Sequence, residues 1–486
     1  MRQDKGWIVF LFILEIFITA FFIVGYKTRF FTFCLLLLHI SFNFRNYLIL
    51  DGGDCVLINL LIWSLFLPIN RRLSIDSFLN EKESREECSS SLISFIFIMQ
   101  IVFIYFTSAI LKVGHWETGE ALYYALSLEA YNRPFTGELL NYPNLLKFSS
   151  FYVFYLEKYL WLFLFIPFYQ KFFRYLTVCL FMSFHCGIII FMDIGLFPFI
   201  GILAWVPLLP GSFWSFFKLK KRKIFKVSLE GKHGLQEKVK EFNQKVFGSA
   251  VSIEKNAELS ISIKKFTDQF CLDYGEKILT NLKVSNLYKF LYKLKIKKYL
   301  NKSEPRFDLS FISRARMILL IFLSVLLLAL NLHIMKVVKV PKVFLNLARQ
   351  IHFEQNWVMF TVLEEYDGWG VAMGITKRGE TINLINQNQN VWEKPESVLN
   401  YYGGIRWVKF HSKLKEKSYE GFTYNQLTKL YLNYLGQKWN ESNPDNLIEY
   451  VHYFYVFDEI GTDKTYDEFK RHLIESVEIL PKDENE

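Results

Sequence analysis

Cysteine is scarce and unpatterned here. The six residues Cys34, Cys55, Cys88, Cys179, Cys186 and Cys271 form no CxxC pair and no metal-ligand spacing. Four of them lie in or beside apolar runs, where a thiol serves as a small buried hydrophobe, so no metal and no dithiol redox centre is assigned. A small-x-small cleavage site is also missing behind the first apolar run, residues 7–24. That run is longer than a typical signal-peptide core and reads as an anchored helix. The formal charge is +10, yet a basic face for nucleic acid is lacking. Lysines and arginines instead sit beside apolar runs and in one long loop, where the positive-inside rule expects them, and no nucleic-acid partner is assigned.

What is abundant is apolar surface: 50 phenylalanines, and 52% hydrophobic residues in a chain of 486. It is concentrated in blocks of about 20 residues, the length that crosses a ~30 Å hydrocarbon core. The blocks are 7–24, 30–50, a third that follows Asp51-Gly-Gly-Asp54 and ends near Ile69, 92–111, 151–169, 175–192, 196–209 and 317–335. The expected fold is an all-α polytopic membrane bundle of about eight spans with a C-terminal extracytoplasmic α+β domain. Its divisions are a transmembrane domain (1–216), a basic cytoplasmic insert (217–316), a further transmembrane helix (317–335) and the α+β domain (336–486). Lys218-Leu-Lys-Lys-Arg-Lys223 opens the insert, which reads either as a small helical domain or as an amphipathic stretch lying on anionic membrane lipid. In the last region, Trp369 to Thr376 and Thr381 to Leu384 around a Lys377-Arg-Gly-Glu380 turn predict a hairpin. Tyr424 to Trp439 predicts a helix and Ile448 to Phe457 a strand.

Loop charge sets the expected orientation. With the N-terminus outside, Lys27/Arg29, Arg71/Arg72, Lys171/Arg174 and the 218–316 segment all fall inside. The Asp51 turn, the polar stretch after residue 111, the Asp193 turn and the C-terminal domain then share the outer face of a cell membrane.

That polar stretch, Lys112 to Phe135, is the densest candidate site. Lys112 ends a span, where a lysine either snorkels to the interface or, if buried, serves as an amine base. His185 lies too deep for snorkelling and reads as functional or as a hydrogen bond between helices. Glu157 is intramembrane and faces away from its neighbour Lys158, so an ion pair with Arg45 or Arg133 is expected. Asp51 and Asp54 read first as turn formers. Trp116, Tyr123, Tyr124 and Tyr131 form either an interfacial aromatic belt or the wall of a pocket for a flat apolar ligand.

Tyr124-Ala-Leu-Ser-Leu-Glu-Ala-Tyr-Asn-Arg-Pro134, preceded by Trp116 and Gly119, resembles the signature of the HTTM family, bacterial relatives of the vitamin K-dependent gamma-carboxylase. Four further stretches agree in order: Arg45-Asn46 with Gly52-Gly-Asp54, Arg71-Arg-Leu-Ser-Ile-Asp76, Glu157, and Phe184-His-Cys186 with Gly195-Leu-Phe-Pro198 and Trp214. Beyond the membrane part, Gln355-Asn-Trp-Val-Met-Phe360, Asp367-Gly-Trp369, Trp392-Glu-Lys-Pro395 and Arg406-Trp407 resemble the domain that follows it in some members.

The resemblance implies that Lys112 and His185 are catalytic and that Trp116, Tyr124 and Arg133 contact a cofactor. Arg45, Asp54 and Glu157 become structural polar groups. It implies vitamin K hydroquinone or another quinone as cofactor, no metal, and a secreted peptide or protein as substrate. In that chemistry an amine deprotonates the hydroquinone, and reaction with oxygen produces a strong base that removes a glutamate proton, after which carbon dioxide traps the carbanion. Gly53 stands where the carboxylase has a further functional histidine, and the family's usual first helix is missing. Two other readings stand beside the gamma-carboxylase-like enzyme: a non-catalytic membrane partner in maturation or export of a secreted peptide, and a scaffold whose polar groups only join helices.

Overall fold

Apolar runs fix where helices form, and breakers inside the runs fix how long those helices are. The computed structural model describes residues 5–71, 74–79, 92–216, 225–231, 233–247, 250–253, 259–263, 267–282, 286–300, 310–415, 424–461 and 469–480. Arg72, Cys88 and the Lys218 to Lys223 run lie outside them.

Among the described residues four helices are long and apolar enough to cross a membrane: Lys5–Val24, Leu92–Leu111, Gln170–Phe191 and Arg314–Ile334. The expectation of about eight spans is therefore met only at this coarser level. The second run forms the helix Thr28–Arg45, diluted by His39, Asn43 and Arg45. The third forms only Gly52–Ser64, and the seventh forms Phe197–Leu208 with Pro198 in its first turn and Pro207 near its end. The fifth run starts earlier than its apolar block and breaks: the helix Pro143–Tyr159 passes into a tighter 3-10 turn at Leu160–Phe165, before Pro167.

The chain forms two compact units, each assembled from three stretches. One comprises Met1–His39, Leu61–Ile96 and Gly211–Val325; the other comprises Ile40–Leu60, Phe97–Pro210 and Leu326–Glu486.

In the first unit the basic insert is not purely helical. Strands β1 (Phe225–Gly231), β2 (Val251–Ile253) and β3 (Leu259–Ile263) form a parallel sheet in the order β2-β1-β3. Val227 of β1 joins Val239 and Phe242 of the helix His233–Val246, Tyr274 and Ile278 of Asp268–Asn281, and Tyr292 and Ile296 of Asn286–Leu300 in a buried core. Three strands this short carry too little alternation to stand out among helical patterns.

In the second unit β4 (Tyr366–Thr376), β5 (Thr381–Asn383), β6 (Ile448–Glu459) and β7 (Lys470–Glu478) form an antiparallel sheet ordered β5-β4-β6-β7. The hairpin β4–β5 pairs Ile375 with Thr381, at the turn read from the sequence. The helix Tyr424–Ser442 contributes Leu432 to a core shared with Ile448, Val451 and Tyr453 of β6 and with Ile479. Arg45, Asp51, Asp54, Lys112, Trp116, Tyr124, Arg133, Glu157 and His185 all belong to this second unit.

Candidate functional site

The Leu92–Leu111 helix ends one residue before Lys112, and a turn at Gly114 leads into the short helix His115–Thr118. That turn folds Trp116 back over the lysine, whose Nζ lies 3.9 Å from the indole ring centre. Glu157, near the end of Pro143–Tyr159, accepts a hydrogen bond from Lys112 Nζ at its Oε2. Both side chains are buried, 3% and 7% exposed, which excludes a snorkelling head group for Lys112. The expected arginine partner for Glu157 is corrected here. Arg45 is exposed, and Arg133 is half-buried with its Nε left unpaired. Two adjacent residues cannot share one helix face, and Lys158 accordingly lies over the Phe154 ring, 4.9 Å away.

Lys112, Trp116 and Glu157 line a cavity of about 80 Å³ whose remaining wall, except for Tyr105 and Ser108, is apolar, including Phe184, Trp357 and Phe360. Its cover comes from far along the chain: Trp116 Nε1 donates to the Phe360 carbonyl at 2.7 Å. The covering segment is anchored by Gln355, which accepts from Gln100 Nε2 and donates to Asn59 Oδ1, both at 2.8 Å. Trp357 Nε1 donates to the same Gln355 Oε1 at 3.1 Å. Apart from Trp116, the residues assigned to a cofactor do not line the cavity. Tyr124 packs its ring against His115, centres 4.0 Å apart, and Arg133 lies outside the wall.

His185 is fully buried and does not line the cavity either. Its Nε2 sits 2.7 Å from the hydroxyl of Tyr105, which also accepts from Trp205 Nε1 at 2.9 Å. Gly201 makes room for the imidazole, since a Cβ there would lie 2.3 Å from the ring. Tyr105, absent from the candidates above, is the member of this group that reaches the cavity. One signal for it was present in the sequence: Tyr105, Ser108 and Lys112 are spaced three and four apart, one helix face, and all three line the cavity.

The Asp51 turn is built as its residue types imply. Asp51 Oδ1 accepts from the Gly53 amide at 2.7 Å, and Asp54 Oδ2 accepts from the Asp51 amide at 2.9 Å. Arg406, which sequence reasoning left without a role, grips Asp54 with two nitrogens at 2.5 and 3.0 Å and donates to the Ile49 carbonyl at 2.7 Å. A Cβ on Gly53 would lie 2.7 Å from the Phe197 amide nitrogen, so the position where the resemblance would put a histidine admits no side chain without backbone movement.

Asp51 also borders a second cleft of about 200 Å³, with Asp367, Lys409, His411 and Lys415 on its walls; it shares Ile194, Met359 and Phe360 with the apolar cavity. Burial pushes the Asp367 carboxyl up to about 7, and the neighbouring Glu129 carboxylate adds to it. Burial lowers His411 to about 3. Among the described residues no cluster of three His, Cys, Asp or Glu side chains could hold a metal ion.

No curated protein and no solved structure matches the chain. Residues 3–214, which supply Lys112, Glu157, His185 and the Asp51 turn, match the family model of the HTTM domain, and over that stretch the chain carries an HTTM domain.

Proposed function

We propose that this is an integral membrane protein of about eight membrane-embedded segments. In this reading it modifies a secreted peptide or protein at the outer face by gamma-carboxylase-like chemistry, with a quinol bound beside Lys112. The observation that carries the reading is the burial of Lys112 and Glu157 together on the wall of an apolar, aromatic cavity inside the HTTM stretch. The loop-charge asymmetry supports an outward-facing site and C-terminal region.

The donor set suits a flat apolar ring bearing oxygens: apolar side chains for the ring, an amine and a hydroxyl for its oxygens. About 80 Å³ is less than the ~150 Å³ that admits one benzene, so a two-ring ligand also requires Met359 and Phe360, the wall shared with the larger cleft, to yield. When bound, a quinol supplies a reducing ring with an acidic hydroxyl. The residues of this chain hold and move the proton. Transfer within the pair, from Lys112 Nζ to Glu157 Oε2, turns two buried ions into two neutral groups; the freed lone pair first accepts from the new Glu157 hydroxyl and comes to face the cavity on rotation about Cε–Nζ. Because the step removes two buried ions and their desolvation penalty, the low dielectric favours rather than opposes it. The amine then takes a proton from the ligand, and Trp116 holds the resulting ammonium against its ring face.

Purified protein given a naphthoquinol and oxygen should oxidise it, and Lys112→Ala should abolish the turnover. No turnover by the unmutated protein, together with loss of a peptide's secretion when the gene is removed, would instead establish the non-catalytic maturation or export partner. The scaffold reading would stand if Lys112, His185 and Glu157 could each be replaced with effects on stability alone.

A further inference from the structure

The hydrogen-bond inventory around Tyr105 fixes where its own proton goes. Indole N–H can only donate, so the 2.9 Å contact from Trp205 makes the Tyr105 oxygen an acceptor. The 2.7 Å contact with His185 Nε2 runs one of two ways. If tyrosine donates, the imidazole proton sits on Nδ1, which is buried and has no partner. If Nε2–H donates, Nδ1 is left with only an unpaired lone pair. A charged ring would leave the same orphan N–H and bury a cation as well. Orphan buried N–H groups are rarer than under-satisfied acceptors, so the second arrangement is preferred. The Tyr105 oxygen then accepts from both Trp205 and His185, its hydroxyl proton is left to donate to a further acceptor, and Tyr105 itself lines the cavity.

We infer that Tyr105 is the hydrogen-bond donor to a ligand oxygen in the cavity, held by Trp205 and by His185, which makes His185 a positioning residue rather than a group that touches the ligand. The inference rests on the reading of the cavity as a quinone site. It places two donors, Tyr105 and Lys112, on one helix face two turns apart, about 10 Å along the axis, with Ser108 between them.

The test uses the full chain in detergent, with menadione as probe and methylnaphthalene as the same ring system without oxygens. Binding is followed by quenching of tryptophan fluorescence, and the bound quinone by its infrared carbonyl stretch. Menadione should bind more tightly than methylnaphthalene and show a lowered carbonyl frequency. Tyr105→Phe should weaken menadione by about tenfold, leave methylnaphthalene unchanged, and return one carbonyl component towards the free frequency. His185→Gln, which keeps an N–H donor, should retain the lowered band, whereas His185→Leu should raise it. A fluorinated tyrosine at position 105, nearly the same shape and a stronger donor, should lower the band further and serves if Tyr105→Phe fails to fold. Equal affinity and an unmoved band in Tyr105→Phe, or an unmoved band with the fluorinated residue, would overturn the inference while leaving the quinone site standing. Equal affinity of the unmutated protein for both probes would remove the quinone site, and the inference with it.

Discussion

Two buried charges of opposite sign make the Lys112–Glu157 pair sensitive to the loss of either member. Glu157→Gln leaves an ammonium without its counter-charge and should destabilise the protein by about 3–5 kcal/mol. Replacing both at once, Lys112→Met with Glu157→Leu, should recover most of that stability in a detergent thermal melt while quinol turnover stays absent. Asp367, raised from 3.8 to about 7, binds more protons in the folded state across that window, so its contribution falls as pH rises towards 7. His411, lowered from 6.5 to about 3, binds fewer in the folded state, and its contribution is lost as pH falls from 6.5 towards 3. The two slopes oppose each other between about 4 and 6.5 and nearly cancel. Unfolding by denaturant should therefore show a flat profile there, while Asp367→Asn unmasks stability rising with pH and His411→Gln unmasks the reverse.

Helices and strands were readable to the extent that their own pattern determines them. The C-terminal hairpin, the Tyr424–Ser442 helix and β6 fall where turn residues and periodicity put them. Lengths of apolar helices were less readable: the third stops at Ser64 rather than near Ile69, and the fifth passes into a 3-10 turn at Leu160. Arg406 shows an element gaining its role from another: the helix Ile405–Lys415 carries the guanidinium that holds the start of Gly52–Ser64. Arg406→Ala should destabilise by about 3 kcal/mol through the buried Asp54 carboxylate, and Arg406→Lys should recover only part of that, since an ammonium cannot make the two-nitrogen grip. Gly53→His, which would bring the chain nearer the carboxylase pattern, should lower the melting temperature and confer no new turnover, because its Cβ meets the Phe197 backbone. A histidine tolerated there without loss of stability would count against this packing.

Four membrane-length helices among the described residues and the HTTM stretch make the whole molecule a membrane protein, and it should stay with membranes after alkaline carbonate extraction. If the loop-charge orientation holds, a cysteine introduced at Ser442 should react with an impermeant maleimide on intact cells, and one introduced at Ser228 should not. The reverse pattern would invert the proposed topology. The sequence alone determined the membrane class, the polar residues worth inspecting and, through ordered motifs, the HTTM resemblance, because these are properties of composition and of local spacing. Only the tertiary structure decided that Lys112 meets Glu157 rather than snorkels, that His185 meets Tyr105, and that Trp357 to Phe360 close the cavity. Each of those depends on how helices rotate about their axes and on contacts such as Trp116 with Phe360, 244 residues apart, which no local period encodes.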